Sequence, residues 1–99
     1  MSRKELDPIP PGEILREEFM RPLGITVTAL ARDIAVQANR ISQILNGKRA
    51  VSADTALRLG KYFGMSPEIW LDLQSEYELR LARRTTWKRV EARVRTRVA

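Results

Sequence analysis

Residues 26–49, TVTALARDIAVQANRISQILNGKR, decide the fold of this chain. Apolar residues recur at helical spacing on both sides of Ala35-Val36. This periodicity predicts a short helix over about 27–34 and a second helix over about 38–46, with a tight turn between them. Two short helices joined in this way form a helix-turn-helix motif, here over residues 26–46.

The ends and the crossing of these two helices carry further signals. Thr26 is suited to cap the first helix, and Gly47 is suited to end the second in the left-handed conformation. Ala31 is small, so the second helix can cross the first closely. These signals agree with the boundaries that the periodicity predicts.

Polar side chains on the outer side of the second helix match the chemistry of base recognition. In a DNA-binding helix-turn-helix, the second helix enters the major groove and its N-terminal residues reach base edges. Asparagine and glutamine pair with adenine, arginine pairs with guanine, and an alanine methyl contacts thymine. The residues predicted to contact bases are Gln37, Ala38, Asn39, Arg40 and Gln43. An ordinary helical pair with a solvated polar face would show the same spacing.

Residues on either side of this helix are suited to bind the DNA backbone. Hydroxyl, amide and basic side chains are common donors to phosphate oxygens. The residues predicted to contact phosphates are Thr26, Thr28, Asn46, Lys48 and Arg49. They lie at the start of the first helix and directly after the second.

The rest of the chain is also predicted to be helical, which makes the fold class all-α. An extended lead-in over 1–10 precedes one domain over 11–82. Three more helices are expected over about 11–21, 53–63 and 66–81. The buried side of the second of these is expected to contain Ala56, Leu57, Leu59, Gly60 and Phe63. After a break at Thr85-Thr86, a helical extension with a narrow apolar stripe is indicated by the spacing of Trp87, Val90, Val94 and Val98.

Composition excludes several classes of function. A chain of 99 residues forms one small domain. It has no cysteine and no histidine, which removes disulfides, thiolate metal sites, cysteine nucleophiles and the commonest general base. No apolar run approaches the roughly 18 residues that span a bilayer, and no secretory segment follows Met1. We therefore expect a cytoplasmic protein that is not an enzyme and binds no cofactor, metal or small-molecule substrate.

The net charge of +6 lies entirely in a basic C-terminal tail, residues 83–99. Residues 1–82 contain eleven basic and eleven acidic side chains, whereas the tail contains seven basic side chains and one acid, Glu91. A basic cluster on a neutral body indicates a phosphate-rich partner, with nucleic acid the first choice and an anionic membrane surface the second. A solvated tail that keeps the protein soluble is the alternative.

An apolar surplus in residues 67–98 indicates a dimer contact. One recognition helix offers few base contacts, so useful specificity needs two half-sites about 34 Å apart. The predicted dimer contacts are Trp70, Leu73, Tyr77, Leu81, Trp87, Val90 and Val94. Core packing is the competing interpretation of Trp70, because its motif lies inside the domain.

Four short motifs occur in a fixed order along most of the chain. They are PGEILREEF at 11–19, NGKR at 46–49, ADTALRL at 53–59 and SPEIWL at 66–71. With Leu30-Ala31 and Ile41-Ser42 in the central stretch, the chain resembles the XRE/Cro-type helix-turn-helix family. Within that family it resembles the HigA-type antitoxins, also called VapI-type antidotes of plasmid maintenance systems. The resemblance covers about residues 9–80.

The resemblance implies a five-helix, lambda-repressor-like DNA-binding domain that forms a homodimer. It also implies the antitoxin of a type II toxin–antitoxin pair, which represses its operon at a palindromic operator. The implied protein partner is a HigB toxin, a RelE-like mRNA endonuclease. Two alternatives stay open: a stand-alone XRE-family transcriptional regulator without a toxin, and a protein-interaction module that has lost DNA binding. Ala35, where the family commonly has glycine, and Val27, where phage-repressor relatives often have glutamine, depart from the family pattern.

Overall fold

The computed structural model describes residues 7–98, which form six helices and their connections. The helices are α1 over residues 11–23, α2 over Val27–Asp33, α3 over Ala38–Leu45, α4 over Ala53–Phe63, α5 over Pro67–Arg84 and α6 over Thr86–Val90, followed by a 3-10 turn over Glu91–Arg93. No strand occurs in this range, and the all-α prediction is confirmed. Residues 7–10 are non-helical, and the rest of the expected lead-in lies outside the described residues.

Helix α1 continues through Pro22, past the predicted end at residue 21. Its middle, Leu15–Met20, is a π-helix, and the N–H of Arg21 donates to the carbonyl of Arg16, five residues earlier. Pro22 has no N–H to donate, so regular α-helical bonding cannot pass through it, and the wider turn accommodates the ring. Gly24, at a φ of 65°, then ends the helix.

One apolar core lies among α1 to α5. Its buried members are Leu15, Met20, Leu30, Ala31, Ile34, Ile41, Ile44, Leu45, Val51, Ala56, Leu59 and Trp70. Trp70 is 0% exposed, and its ring centroid lies 5.2 Å from that of Phe19, which in turn lies 4.9 Å from that of Phe63. Because its own subunit encloses Trp70, the prediction that Trp70 contacts a second subunit is wrong, and core packing accounts for it.

Helix α4 has the predicted bounds, and Ser52 caps it. The Oγ of Ser52 accepts a hydrogen bond from the N–H of Thr55 at 3.3 Å. Leu57, however, is 62% exposed, so its expected place in the core is wrong. A helix turns about 100° per residue, which puts Leu57 on the side opposite the buried Leu59. Gly60 lets α5 pack closely, since a Cβ there would lie 2.7 Å from the carbonyl oxygen of Met65.

The chain beyond the core continues as a bent helical extension. Helix α5 runs to Arg84, and the helix breaks at Thr85, where φ is −120° and ψ is −95°. Helical structure ends again at Arg93, because Val94 is extended. Val94 and Val98 therefore do not continue the helical spacing of Trp87 and Val90, and the expected four-residue stripe does not form. A short helix with little buried surface gains too little free energy to extend further.

Candidate nucleic-acid interface

Helices α2 and α3 form the helix-turn-helix expected from the central stretch. The Oγ1 of Thr26 accepts a hydrogen bond from the N–H of Ala29 at 3.1 Å, which caps α2. The turn closes where the N–H of Val36 donates to the carbonyl of Ala31 at 2.9 Å, and Ala35 takes a φ of 61° within it. Buried side chains from both helices hold the crossing together, namely Leu30, Ala31, Ile34, Ile41 and Ile44.

The inner side of α3 rests directly on the start of α1. A Cβ on Gly12 would collide with the carbonyl of Ile44 and would lie 2.9 Å from the Cα of Leu45. Only glycine permits this backbone-to-backbone approach. The contact holds the inner side of α3 in place. The outer side at the N-terminal end of α3 faces solvent.

The residues predicted to contact bases share this outward side, here called the recognition surface and comprising Gln37, Ala38, Asn39, Arg40 and Gln43. The first three are exposed and the last two are half-buried. Gln37, Asn39 and Arg40 line one shallow concavity together with Arg49. The structure thus brings the start of α3 and Arg49, which follows α3, to one surface. Contact with a base stays a prediction.

Arg40 is engaged within the subunit, which the sequence did not indicate. Its Nη1 donates to Oδ2 of Asp54 at 2.7 Å and to Oγ1 of Thr55 at 3.4 Å. These bonds tie the recognition surface to the first turn of α4. Hydrogen bonds from Arg40 and then from Arg58 lower the pKa of Asp54 below its ordinary value, so its carboxylate stays charged to a lower pH than that of an ordinary aspartate.

Arg58 links the same carboxylate to the turn of the helix-turn-helix. Its Nε donates to Oδ2 of Asp54 at 2.9 Å, and its Nη1 donates to the carbonyls of Ile34 at 2.8 Å and Ala35 at 2.9 Å. From the sequence alone, Asp54 and Arg58 are expected to form an ordinary surface ion pair that adds little to stability. The structure makes them part of a network that holds α2, the turn, α3 and α4 in register. The carbonyls of the turn need donors whichever residue occupies position 35, so the sequence carried no specific signal for this role of Arg58.

Of the residues predicted to contact phosphates, Arg49 lines the same concavity as part of the recognition surface. Thr26 and Thr28 are exposed at the start of α2, and Asn46, Lys48 and Arg49 are exposed after α3. The Nε of Arg49 donates to Oε1 of Gln43 at 2.9 Å, which holds Arg49 beside α3. The Oδ1 of Asn46 accepts a longer bond from Arg16 at 3.5 Å.

The remaining predicted dimer contacts differ in exposure. Leu81, Trp87 and Val94 are exposed, whereas Leu73, Tyr77 and Val90 are half-buried. Sequence reasoning missed Leu79, which is 52% exposed and borders a surface depression with Ala82 and Trp87. Its position nine residues after Trp70, on the opposite side of α5, was the signal that could have identified it.

Two features are absent from the part of the chain that the structure describes, namely a membrane-spanning helix and a cluster of metal ligands. No helix there is long and apolar enough to cross a membrane. No three acidic, histidine or cysteine side chains there come together as metal ligands.

Comparison with known proteins places the chain in a family. A helix-turn-helix family model matches residues 15–70. Virulence-associated protein I of Dichelobacter nodosus is 45% identical over 80 residues, which is 81% of this chain and 74% of the relative. A solved addiction module antidote protein of the HigA family from Coxiella burnetii is 43% identical, with a TM-score of 0.87, and the match covers 93% of this chain and 100% of that one. This chain belongs to the HigA/VapI family of helix-turn-helix proteins.

A second solved member of the HigA/VapI family was captured with DNA. The Pseudomonas aeruginosa antitoxin HigA with the higBA promoter is 43% identical to this chain, with a TM-score of 0.87, and the match covers 92% of this chain and 99% of that one. The family is one of antitoxins and transcription regulators rather than enzymes, as expected from the sequence.

Proposed function

We propose that this chain is the DNA-binding antitoxin of a type II toxin–antitoxin pair. It binds a palindromic operator as a homodimer, represses transcription of its own operon and neutralises a RelE-like mRNA endonuclease of the HigB type. Because its proposed partner is the operator, its place of action is the cytoplasm.

One observation carries the DNA-binding half of this proposal. The exposed polar residues at the start of α3 share a concave surface with Arg49, and Lys48 lies beside it. This combination suits a helix that reads base edges while neighbouring cations bind phosphates. The P. aeruginosa relative, solved with its promoter, supports DNA binding by this chain.

A homodimer is proposed because a palindrome requires two recognition helices. Leu81 is exposed and continues the side of α5 that carries the half-buried Leu73 and Tyr77, so these three residues offer an apolar surface on one side of the helix. A two-fold axis through this surface would pair the same residues from each subunit. The proposed contact therefore involves Leu73, Tyr77 and Leu81 and excludes the buried Trp70.

Binding to the DNA upstream of the gene tests the repressor function. A labelled duplex of that DNA and a random duplex of equal length are titrated with the protein at physiological salt, and anisotropy reports binding. We expect tighter binding to the upstream duplex, with two chains for each palindrome. Equal affinity for both duplexes would refute operator recognition.

Asn39→Ala tests the recognition surface more cleanly than a change at Arg40, whose guanidinium also bonds to Asp54. Asn39 is exposed at the start of α3. Loss of a base contact costs about 1–3 kcal/mol of discrimination. We expect operator affinity to fall by that amount while affinity for random DNA stays unchanged. The matched control is Ser75→Ala on the exposed side of α5, which leaves both affinities intact. An equal loss of affinity for both duplexes would show that Asn39 contributes only to non-specific DNA binding.

Neutralisation needs a separate measurement. The product of a toxin-sized reading frame beside the gene is added to a translation extract, and mRNA cleavage is followed with and without this chain. We expect cleavage to stop once the two proteins are equimolar. Continued cleavage, or the lack of such a reading frame, would leave a stand-alone transcriptional regulator as the function.

A further inference from the structure

The basic tail is exposed and largely unneutralised in the part of the chain that the structure describes. All of its cationic side chains are exposed, namely Arg83, Arg84, Lys88, Arg89, Arg93, Arg95 and Arg97. Among residues 7–98, the one ion pair that involves the tail joins Arg84 to Asp7 at 3.0 Å. Such a concentration of charge is costly in self-repulsion unless an anionic partner binds it.

Helix α5 passes the segment that follows α3 before it reaches the tail. The Oε1 of Gln74 accepts a hydrogen bond of 2.9 Å from the N–H of Val51. Val51 lies two residues after Arg49, in the segment that follows α3. Arg49 and Tyr77 line the same surface depression. From Gln74 the helix runs on to Arg84, which is about 15 Å at the helical rise of 1.5 Å per residue. The tail thus starts near one of the predicted phosphate-contacting segments.

The molecule is more extended than a compact domain of its length. The radius of gyration is 16.5 Å, with extents of 51 × 36 × 23 Å. A compact chain of this length has a radius of gyration of about 13 Å. Residues 94–98 are non-helical, so they add up to about 16 Å of reach at roughly 3.3 Å per extended residue.

We propose that the basic tail is a second DNA-binding element, which contacts backbone phosphates outside the bases read by α3. This inference rests on the proposed function and adds to it a sequence-independent contact. Six of the seven cations are arginine, whose planar guanidinium binds phosphate through two parallel hydrogen bonds. The tail strengthens binding to any duplex, whereas the recognition surface selects the operator.

Double-stranded DNA fits the tail better than an anionic membrane. A helix that lies on a membrane buries a continuous apolar side in the headgroup region. Here the helical structure ends at Arg93, so Val94 and Val98 share no helical side with Trp87. The charges therefore lack the continuous apolar side that a helix lying on a membrane buries.

Two variants of equal net charge test the proposal. The tail variant carries Arg93→Gln, Arg95→Gln and Arg97→Gln, and the body variant carries Arg21→Gln, Lys61→Gln and Arg80→Gln. All six side chains are exposed, so both variants keep the core intact. Each is titrated against the upstream duplex and the random duplex at several salt concentrations, with vesicles of anionic and neutral lipid as a separate arm.

Each phosphate contact contributes about 0.9 to the slope of log K against log salt. We expect the tail variant to lose up to about 2.7 of that slope on both duplexes, with its operator preference unchanged. The body variant should keep the slope of the original chain. Equal slopes in the two variants would overturn the proposal, because net charge alone would then explain the binding. Loss of vesicle binding without a change of slope on DNA would also overturn it, in favour of a membrane surface.

The proposed operator recognition can fail separately from this inference. If the unaltered chain binds both duplexes equally, operator recognition is refuted. The slopes on the random duplex still decide whether the tail binds phosphates.

Discussion

Ala35 carries an unfavourable backbone conformation at the turn of the helix-turn-helix. Its φ of 61° lies in the left-handed region, where a Cβ atom approaches the following carbonyl oxygen. Ala35→Gly removes that clash, although glycine loses more conformational entropy on folding. We expect the substitution to raise the free energy of unfolding by about 0.5–1 kcal/mol. Urea unfolding followed by circular dichroism measures it, and a fall in stability would show that Ala35 is unstrained.

Arg58 provides the donors that this turn needs. Arg58→Ala leaves the carbonyls of Ile34 and Ala35 without their outside partner and removes one of the two cations at Asp54. We expect a loss of stability on the order of 1–3 kcal/mol, together with weaker preference for the operator, because α3 is then held less firmly.

Arg80→Ala is the matched control for Arg58→Ala. Arg80 also forms an ion pair four residues along its helix, with Glu76 at 2.7 Å, but both side chains are more than half exposed. Such a pair contributes about 0–1 kcal/mol. If both substitutions cost the same, the bonds from Arg58 to the turn add nothing beyond an ordinary surface pair.

At the scale of helices, the contact of α1 with α3 limits what can replace Gly12. Gly12→Ala places a Cβ against the carbonyl of Ile44, and neither backbone can yield without moving a helix. We expect a loss of about 1–3 kcal/mol or more in unfolding free energy, and a weaker operator complex because α3 shifts. Gly24→Ala serves as the control, since no atom lies within 4 Å of its Cβ. Its cost is about 1 kcal/mol for the left-handed backbone alone.

Helix positions were predictable where local signals suffice. Helices α2, α3 and α4 have capping residues or glycines at their ends, so periodicity and capping gave bounds within a residue or so of those observed. The passage of α1 through Pro22 depends on a π-helical turn, for which the sequence carries no separate signal. The end of helical structure at Arg93 depends on how little surface the tail buries, which spacing alone does not reveal.

The candidate site was predictable as a set of residue types and less so as a set of contacts. The polar character of the start of α3 follows directly from the sequence. The engagement of Arg40 by Asp54 does not, because the two residues are fourteen positions apart and meet only when α3 packs on α4. The same applies to Trp70, whose place in the core depends on Phe19 from a distant helix.

For the whole molecule, the proposed dimer contact gives a prediction of assembly. Leu81 is 42% exposed on α5, and Leu81→Glu would put a charge in the proposed contact. We expect the dissociation constant of the dimer to rise at least about tenfold, the equivalent of about 1.4 kcal/mol. Sedimentation velocity over a range of protein concentrations measures this constant.

Leu57→Glu provides the matched control for the dimer contact. Leu57 is also an exposed leucine, at 62%, but it lies on α4. We expect Leu57→Glu to leave the dimer intact. Dissociation by Leu57→Glu, with an intact dimer in Leu81→Glu, would move the contact to α4.

The two tryptophans make the protein its own optical probe. Trp70 is 0% exposed, and Trp87, within the tail, is 38% exposed. Indole emission shifts to the red as water reaches the ring, so Trp70 reports the loss of the core and Trp87 reports events at the end of α5. In a Trp87→Phe variant the spectrum follows folding alone. In a Trp70→Phe variant the emission of Trp87 reports the binding of a second subunit or a DNA duplex at the tail, without any attached dye.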